Sequence, residues 1–110
     1  MNKVLDKEIQ NNVKVCVDQW IIFMNTNLKD IKQIEQMFPE TLEFNNKTKI
    51  HISEAQVLVE KCNSYTLTVK DVEEHLASQR LHLFELDKIN SLLSNKLIDD
   101  EDSACSMWLN

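Results

Sequence analysis

The sequence contains no glycine among its 110 residues, and its single proline is Pro39. Tight β-hairpins and left-handed helix C-caps depend on glycine for a positive φ angle, so both are disfavoured. Phosphate-binding loops and dinucleotide-binding turns need glycine to bring the backbone close to a phosphate. The composition therefore argues against nucleotide-binding folds and favours helices joined by a few polar loops.

Excess positive charge is also lacking, since 12 Lys and Arg residues stand against 18 Asp and Glu residues, for a formal net charge of −6. Binding to nucleic acid or to an anionic membrane surface requires clustered basic residues, so neither is expected. The richest apolar run, residues 13–24, is too short to cross a bilayer and contains Lys14 and Asp18. The sequence thus predicts no membrane insertion, and its N-terminal residues lack the apolar stretch of a secretory signal.

Disulfide patterns and clustered metal ligands are missing as well. Cys16, Cys62 and Cys105 are odd in number, far apart and without a C-x-x-C pair, which favours a reducing intracellular compartment, cytoplasmic or nuclear. His75 and His82 share a helix face, but no third ligand lies at a useful spacing. We expect both histidines to be solvated, and we predict no metal site and no cofactor.

Helical periodicity is the strongest signal that the sequence carries. Residues 4–38 are predicted to form one helix, because apolar residues recur with the alternating three- and four-residue spacing of a heptad seam. Pro39 should end this helix, since proline disfavours helical conformation in the residue before it. The seam positions are Val13, Val17, Trp20, Met24, Asn27, Ile31, Ile34 and Phe38.

The apolar face of this first helix is wider than a two-stranded coiled coil requires. Ile21 and Phe23 flank the seam, and Val15 and Ile22 lie on the opposite side of the helix. A helix that is apolar nearly all round is expected to be enclosed by several others. We therefore expect cover from further helices, either of the same chain or of a partner.

A connection over residues 39–53 is predicted to lead into a second helix over residues 54–98. Ser53 followed by Gln56 has the spacing of a capping box, which marks a helix start. The heptad seam of this helix is long and consists of Leu58, Cys62, Tyr65, Val69, Val72, Leu76, Gln79, Leu83, Leu86, Asn90, Leu93 and Leu97.

The fold-class prediction is all-α: a long helical hairpin or antiparallel helical bundle with coiled-coil character. The alternative is a compact three-helix bundle with a break near Ser64–Thr68, where helix formers are scarce and Thr68 with Asp71 could cap a new helix. The continuous helix is favoured because the heptad phase crosses this segment unchanged. Residues 1–98 are predicted to form a single helical domain, and residues 99–110 an acidic, flexible tail.

The sequence predicts a protein that is not an enzyme, because its carboxylates and histidines do not converge on one site. We expect a protein–protein interaction subunit or adaptor of a helical multi-protein assembly, binding through a heptad seam. The alternatives are a self-contained helical peptide-binding or regulatory module and a homodimeric four-helix-bundle scaffold. The partners would be other helical proteins or a second copy of the chain, and no small-molecule substrate is evident.

Three groups of residues are predicted to serve this binding. The buried amides of Asn27, Gln79 and Asn90 would fix the register of the seams. Trp108 and Leu109, beside the acidic run, are candidates for a docking peptide; the alternative is that they fold back onto the protein or have no role. The interface itself is predicted to comprise Val13, Val17, Trp20, Ile21, Phe23, Met24, Ile31, Ile34, Val69, Val72, Leu76, Leu83, Leu86 and Leu93.

Overall fold

The computed structural model describes the backbone of residues 3–109 and the side chains of residues 3–95. Over this range the protein is all-helical, which confirms the predicted class, and the helices pack together as a bundle. Its three helices are α1 (Lys7–Lys32), α2 (Thr41–Asn63) and α3 (Val69–Leu109). No helix of the described part is both long and apolar enough to cross a membrane.

The helices run up, down and up. The Leu5 amide donates a hydrogen bond of 3.0 Å to the Leu67 carbonyl, which ties the start of α1 to the end of α2 and makes these helices antiparallel. The Val69 amide donates to the Lys3 carbonyl near the starts of α1 and α3, and Asn27 lies 3.2 Å from His82 further along both helices, so α1 and α3 run parallel. The longest dimension, 63 Å, matches the roughly 62 Å expected for the 41 residues of α3. Because α1 has only 26 residues, α3 extends well beyond it.

The core follows the seam predicted for α1. Val17, Met24, Ile31 and Phe38, which recur every seven residues, are all buried. The larger core cluster joins Val17 and Met24 to side chains in the C-terminal half of α2 and in the connector between α2 and α3 (residues 64–68), namely Ile52, Ala55, Leu58, Cys62 and Leu67. A smaller cluster of Ile31, Phe44 and Ile89 lies near the opposite end of α2. These contacts stabilise the bundle by removing apolar surface from water.

The first helix is shorter than predicted, because α1 ends at Lys32 and not at residue 38. The amides of Ile34 and Met37 donate to carbonyls only three residues back, so the chain turns before Pro39 is reached. The Asn45 amide group then donates to the Glu35 carboxylate at 3.2 Å, which holds the turn against α2. The proline therefore lies inside the connection and does not end the helix itself.

The predicted connection over residues 39–53 was wrong, since α2 begins at Thr41. The buried face of its first half is largely polar and includes Thr41, Asn45, Thr48 and His51. Thr48 satisfies its hydroxyl locally by donating to the Phe44 carbonyl at 2.8 Å. A search for apolar periodicity cannot detect such a face. Ser53, predicted to cap a helix, lies inside α2 and donates to the Lys49 carbonyl.

The continuous second helix was also wrong, and the alternative with a break at Ser64–Thr68 is the one observed. The Tyr65 amide donates to the Cys62 carbonyl and the Thr66 amide to the Lys61 carbonyl, the paired hydrogen bonds of a Schellman C-cap. Tyr65 itself has φ 55°, the left-handed conformation that glycine normally supplies. The chain thus makes a glycine-type helix end without glycine.

The helix start at Thr68, which belonged to the alternative with a break, is the one observed. The Thr68 hydroxyl accepts from the Asp71 amide at 3.2 Å, and the Asp71 carboxylate accepts from the Thr68 amide at 3.0 Å. Lys61 adds an ion pair of 2.8 Å to the same carboxylate. Although burial raises the pKa of Asp71, hydrogen bonds from Lys61 and Thr68 outweigh it and lower the pKa overall. This reciprocal cap starts α3.

The left-handed Tyr65 gives a stability prediction. We expect the free energy of unfolding of Tyr65→Gly to exceed that of Tyr65→Ala by about 1 kcal/mol, because only glycine adopts a positive φ without steric cost. Both variants remove the same ring, so the loss of the Lys7–ring contact cancels in the comparison. Urea denaturation of the two variants measures the difference. Equal stabilities would show that residue 65 carries no conformational cost.

The predicted domain boundary at residue 98 does not coincide with a helix end, since α3 continues to Leu109. No proline or glycine follows Pro39, so no helix-breaking residue interrupts the acidic segment. The side chains of Trp108 and Leu109 lie outside the described residues. Their role in docking therefore stays a prediction.

Candidate interaction site

The candidate site is a groove between α1 and α3. The backbones of both helices pack closely on α2, whereas α1 and α3 meet each other through side chains. This spacing leaves a shallow, solvent-open cleft of about 300 Å³, lined by Cys16, Gln19, Trp20 and Phe23 from α1 and by Gln79 from α3. The cleft contains Trp20 and Phe23, two of the side chains that the sequence placed in the interface.

Two apolar stripes border this groove. On α1 the stripe consists of Ile9, Cys16 and Phe23, and on α3 of Val69, Leu76 and Leu83; we call them the α1 stripe and the α3 stripe. Residues of the α1 stripe line the cleft itself, whereas the α3 stripe lies beside Gln79. Leu76 and Leu83 lie three and four residues from Gln79, so they border the same side of α3. Leu76 is 42% exposed and Leu83 47%, and Phe23 is 38% exposed. Both stripes therefore present apolar surface that the described part of the chain does not cover.

A cluster of aromatic rings centred on His82 packs between the groove and the core. Trp20 and Phe23 stack at a centroid distance of 5.2 Å, and both meet the His82 ring edge-on, at 5.5 and 6.3 Å. Phe44 of α2 lies 5.4 Å from the same imidazole. All three helices thus contribute to a single aromatic cluster, which holds Trp20 and Phe23 in place at the surface.

His82 is completely buried, in contrast to the solvated position predicted for it. The Asn27 side-chain amide donates to His82 Nε2 at 3.2 Å, which requires that nitrogen to be unprotonated. Burial lowers the pKa of His82; the neighbouring His51, whose ring centroid is 5.8 Å away, lowers it further, and Glu85 opposes the shift. His82 is therefore a neutral hydrogen-bond acceptor in the core.

His75 was predicted to be solvated as well, and it is half-buried. Burial lowers the pKa of His75, and its Nε2 lies 2.8 Å from the Gln79 amide nitrogen. With His82 and Ile89 it forms the inner face of α3. These three residues recur every seven positions, as the predicted seam does, but each precedes a residue of that seam (Leu76, Leu83 and Asn90) by one position. That shared spacing was the available signal, and it was missed because two of the three residues are histidines.

The predicted interface residues divide into three groups by exposure. Val17, Met24 and Ile31 are buried in the core of this chain and present no surface to a partner. Those at the edges of the core are half-buried, namely Val13, Trp20, Ile21, Ile34, Val72, Leu86 and Leu93. The exposed ones are Phe23, Val69, Leu76 and Leu83. Every member of this last group belongs to one of the two stripes.

The predicted register residues are not brought together. Asn27 is hydrogen-bonded to His82 and Gln79 to His75, whereas Asn90 is exposed. Val15 and Ile22, on the far side of α1, are exposed too, so residues 3–95 do not enclose the first helix. The role of the three amides in setting register stays a prediction.

Comparison with known proteins does not indicate what this site binds. The chain matches no protein-family model, and no curated protein or solved structure shows significant similarity to it. Within the described part of the chain, no three His, Cys, Asp or Glu side chains are grouped so that they could hold a metal ion. The groove, with its apolar stripes and the side chains of Gln19 and Gln79, is suited to binding another apolar surface.

Proposed function

We propose that the protein is a non-enzymatic interaction module that binds one amphipathic helix of another protein in the groove between α1 and α3. The observation that carries this proposal is the pair of uncovered stripes, each with a seven-residue repeat, on two parallel helices. Side chains repeating at this interval on neighbouring helices form the holes that receive the apolar residues of an added helix. The added helix would complete a four-helix bundle.

The stripes define the size of the partner. From Ile9 to Phe23 the α1 stripe covers 14 helical steps, or about 21 Å at 1.5 Å per residue. A partner helix of about four turns would cover this length. Peptide grooves of other helical proteins accept amphipathic helices of comparable length through anchors at i, i+3, i+4 and i+7. An adaptor role in a larger assembly follows if that helix belongs to a multi-subunit complex.

A reducing cytoplasmic setting is part of this proposal. Cys16 lies exposed in the groove and Cys62 is buried, and both are free thiols. An oxidising compartment would expose the Cys16 thiol to disulfide formation in the middle of the binding surface. In the cytoplasm the same side chain acts as a small apolar group of the α1 stripe.

The test uses a synthetic 21-residue peptide of three heptads, with leucine at both seam positions and uncharged glutamine at the flanking positions. We expect Leu76→Glu/Leu83→Glu to weaken its binding at least tenfold, because two charges would have to be buried against the leucine seam. Fluorescence anisotropy of the labelled peptide gives the Kd for each protein. Light scattering of the free protein gives its mass.

The matched control is Leu81→Glu/Phe84→Glu, which makes the same change on α3 away from the groove. Leu81 and Phe84 are 49% and 59% exposed, so their replacement should leave binding within about twofold. Equal losses in both variants, or no peptide binding at all, would contradict the proposal. A different outcome is that the parent protein forms a stable dimer that only the Leu76→Glu/Leu83→Glu substitutions dissociate. That result would show that the groove binds a second copy of this chain and not a helix of another protein.

A further inference from the structure

The rims of the groove differ in charge between its two walls. On α1, the positions beside the stripe are Asn12, Gln19 and Thr26, which are all uncharged and recur every seven residues. Gln19 is placed at the cleft directly. The α1 rim therefore offers hydrogen bonds but no charge to whatever lies in the groove.

The α3 rim carries alternating charge at the same spacing. Glu73, Arg80 and Asp87 recur every seven residues, in the order negative, positive, negative. Arg80 lies four residues after Leu76 and three before Leu83, so it sits beside the α3 stripe. All three side chains are exposed. We call this set the charged rim.

The charged rim is not used within the described part of the chain. The ion pairs observed between residues 3 and 95 involve other groups, such as Lys47 with Glu85, Lys61 with Asp71, and Lys70 with Glu74. None of these ion pairs includes Glu73, Arg80 or Asp87. Flanking charges of this kind determine which helices associate and in which alignment, since opposite charges attract across the seam and like charges repel.

We propose that the charged rim selects a partner helix that carries basic, acidic and basic side chains at seven-residue intervals on its edge facing α3. This inference rests on the proposed function of the groove. The opposite edge of the partner, which faces Asn12, Gln19 and Thr26, needs no charge. The partner is thus an amphipathic helix with one polar edge and one charged edge.

The order of the three charges fixes register and leaves direction open. Negative, positive, negative reads the same from either end, so a parallel and an antiparallel partner satisfy it equally. Sliding the partner by one heptad instead places like charges opposite each other at two positions. Register is therefore the property that the rim can select, as flanking charges do in coiled coils.

The test compares two forms of the leucine-seam peptide. The first carries Lys, Glu and Lys at the flanking positions of one edge, and the second carries Glu, Lys and Glu there, with glutamine on the other edge of both. We expect the first to bind on the order of tenfold more tightly at low ionic strength, since three attractive pairs replace three repulsive ones. In 1 M salt, where charges are screened beyond about 3 Å, the preference should largely vanish.

The decisive protein variant is Glu73→Lys/Arg80→Glu/Asp87→Lys, which reverses the charged rim and keeps both stripes. We expect it to prefer the second peptide, and its circular dichroism to match that of the parent protein. Equal binding of the two peptides by the parent would overturn the charge inference and leave the groove proposal standing. Failure of both peptides, together with the glutamine-flanked one, would instead overturn the groove itself.

Discussion

Lowering the pH from 8 to 5 is expected to destabilise the protein substantially, and His82 should account for much of the loss. Its imidazole is completely buried among Trp20, Phe23 and Phe44, and it accepts a hydrogen bond from Asn27. A protonated His82 could not accept that bond and would carry an unsolvated charge beside His51. Folding therefore favours the neutral ring.

The direction of the pH dependence follows from the lowered pKa of His82, caused first by burial and then by His51. Between the unfolded pKa of about 6.5 and the lower folded value, the unfolded chain binds one proton more than the folded chain. The stability is therefore complete above about pH 6.5 and falls with acidification, by up to about 1.4 kcal/mol per pH unit for this one proton. His75, whose pKa burial also lowers, adds to the same trend.

Urea denaturation at half-unit steps between pH 5 and 8 measures this dependence, and His82→Phe tests its source. Phenylalanine keeps a ring among the aromatic side chains but cannot titrate. We expect the variant to show a shallower loss of stability in acid, whatever its stability at pH 8. A parent-like slope in His82→Phe would mean that the acid sensitivity comes from other groups.

The part of the fold that sequence periodicity predicted well is the core face of α1. Val17, Met24, Ile31 and Phe38 are apolar, evenly spaced and all buried. The same criterion failed for the first half of α2, because its inward side chains include Thr41, Thr48 and His51. Their polar groups are satisfied inside the bundle, Thr48 by the Phe44 carbonyl and His51 by the Ser78 hydroxyl at 2.9 Å. Buried polar groups with partners are compatible with a core but are invisible to apolar patterning.

Which face of α3 is buried is a second feature that sequence periodicity could not predict. The stripe Val69, Leu76 and Leu83 and the stripe His75, His82 and Ile89 both repeat every seven residues, so spacing cannot decide which faces inward. They differ by about 100° of helix rotation. The apolar stripe was predicted to be the seam, whereas the bundle buries the histidine stripe at its centre. The leucines are left at the surface, where they border the groove beside Gln79.

At the break between α2 and α3, the sequence indicated the start of α3 but not the end of α2. Thr68 and Asp71 have the spacing of a reciprocal cap, and the structure confirms their hydrogen bonds. The end of α2 has no such signature, because Tyr65 occupies a left-handed position where glycine is usual. Without a glycine to mark the end, the uninterrupted heptad phase predicted a longer helix.

Gln10→Ala is expected to cost about 2–3 kcal/mol of unfolding free energy, because it leaves a buried amide without a partner. Gln10 is 1% exposed and lies seven residues before Val17 on the core face of α1. Its side-chain amide donates to the Leu5 carbonyl at 2.7 Å, and its carbonyl oxygen accepts from the Leu67 amide at 3.0 Å. One side chain thereby joins the segment before α1 to the connector before α3.

Two further variants separate hydrogen bonding from volume in this effect. Gln10→Leu fills most of the space but offers Leu67 no acceptor, so it should remain clearly destabilised; recovery to parental stability would show that packing alone matters. Gln19→Ala, at an exposed glutamine of the same helix, should change stability by less than about 0.5 kcal/mol. Denaturation of all three variants at one pH gives the comparison. If Gln10→Ala were as mild as Gln19→Ala, the N-terminal segment would not be held to the connector through this residue.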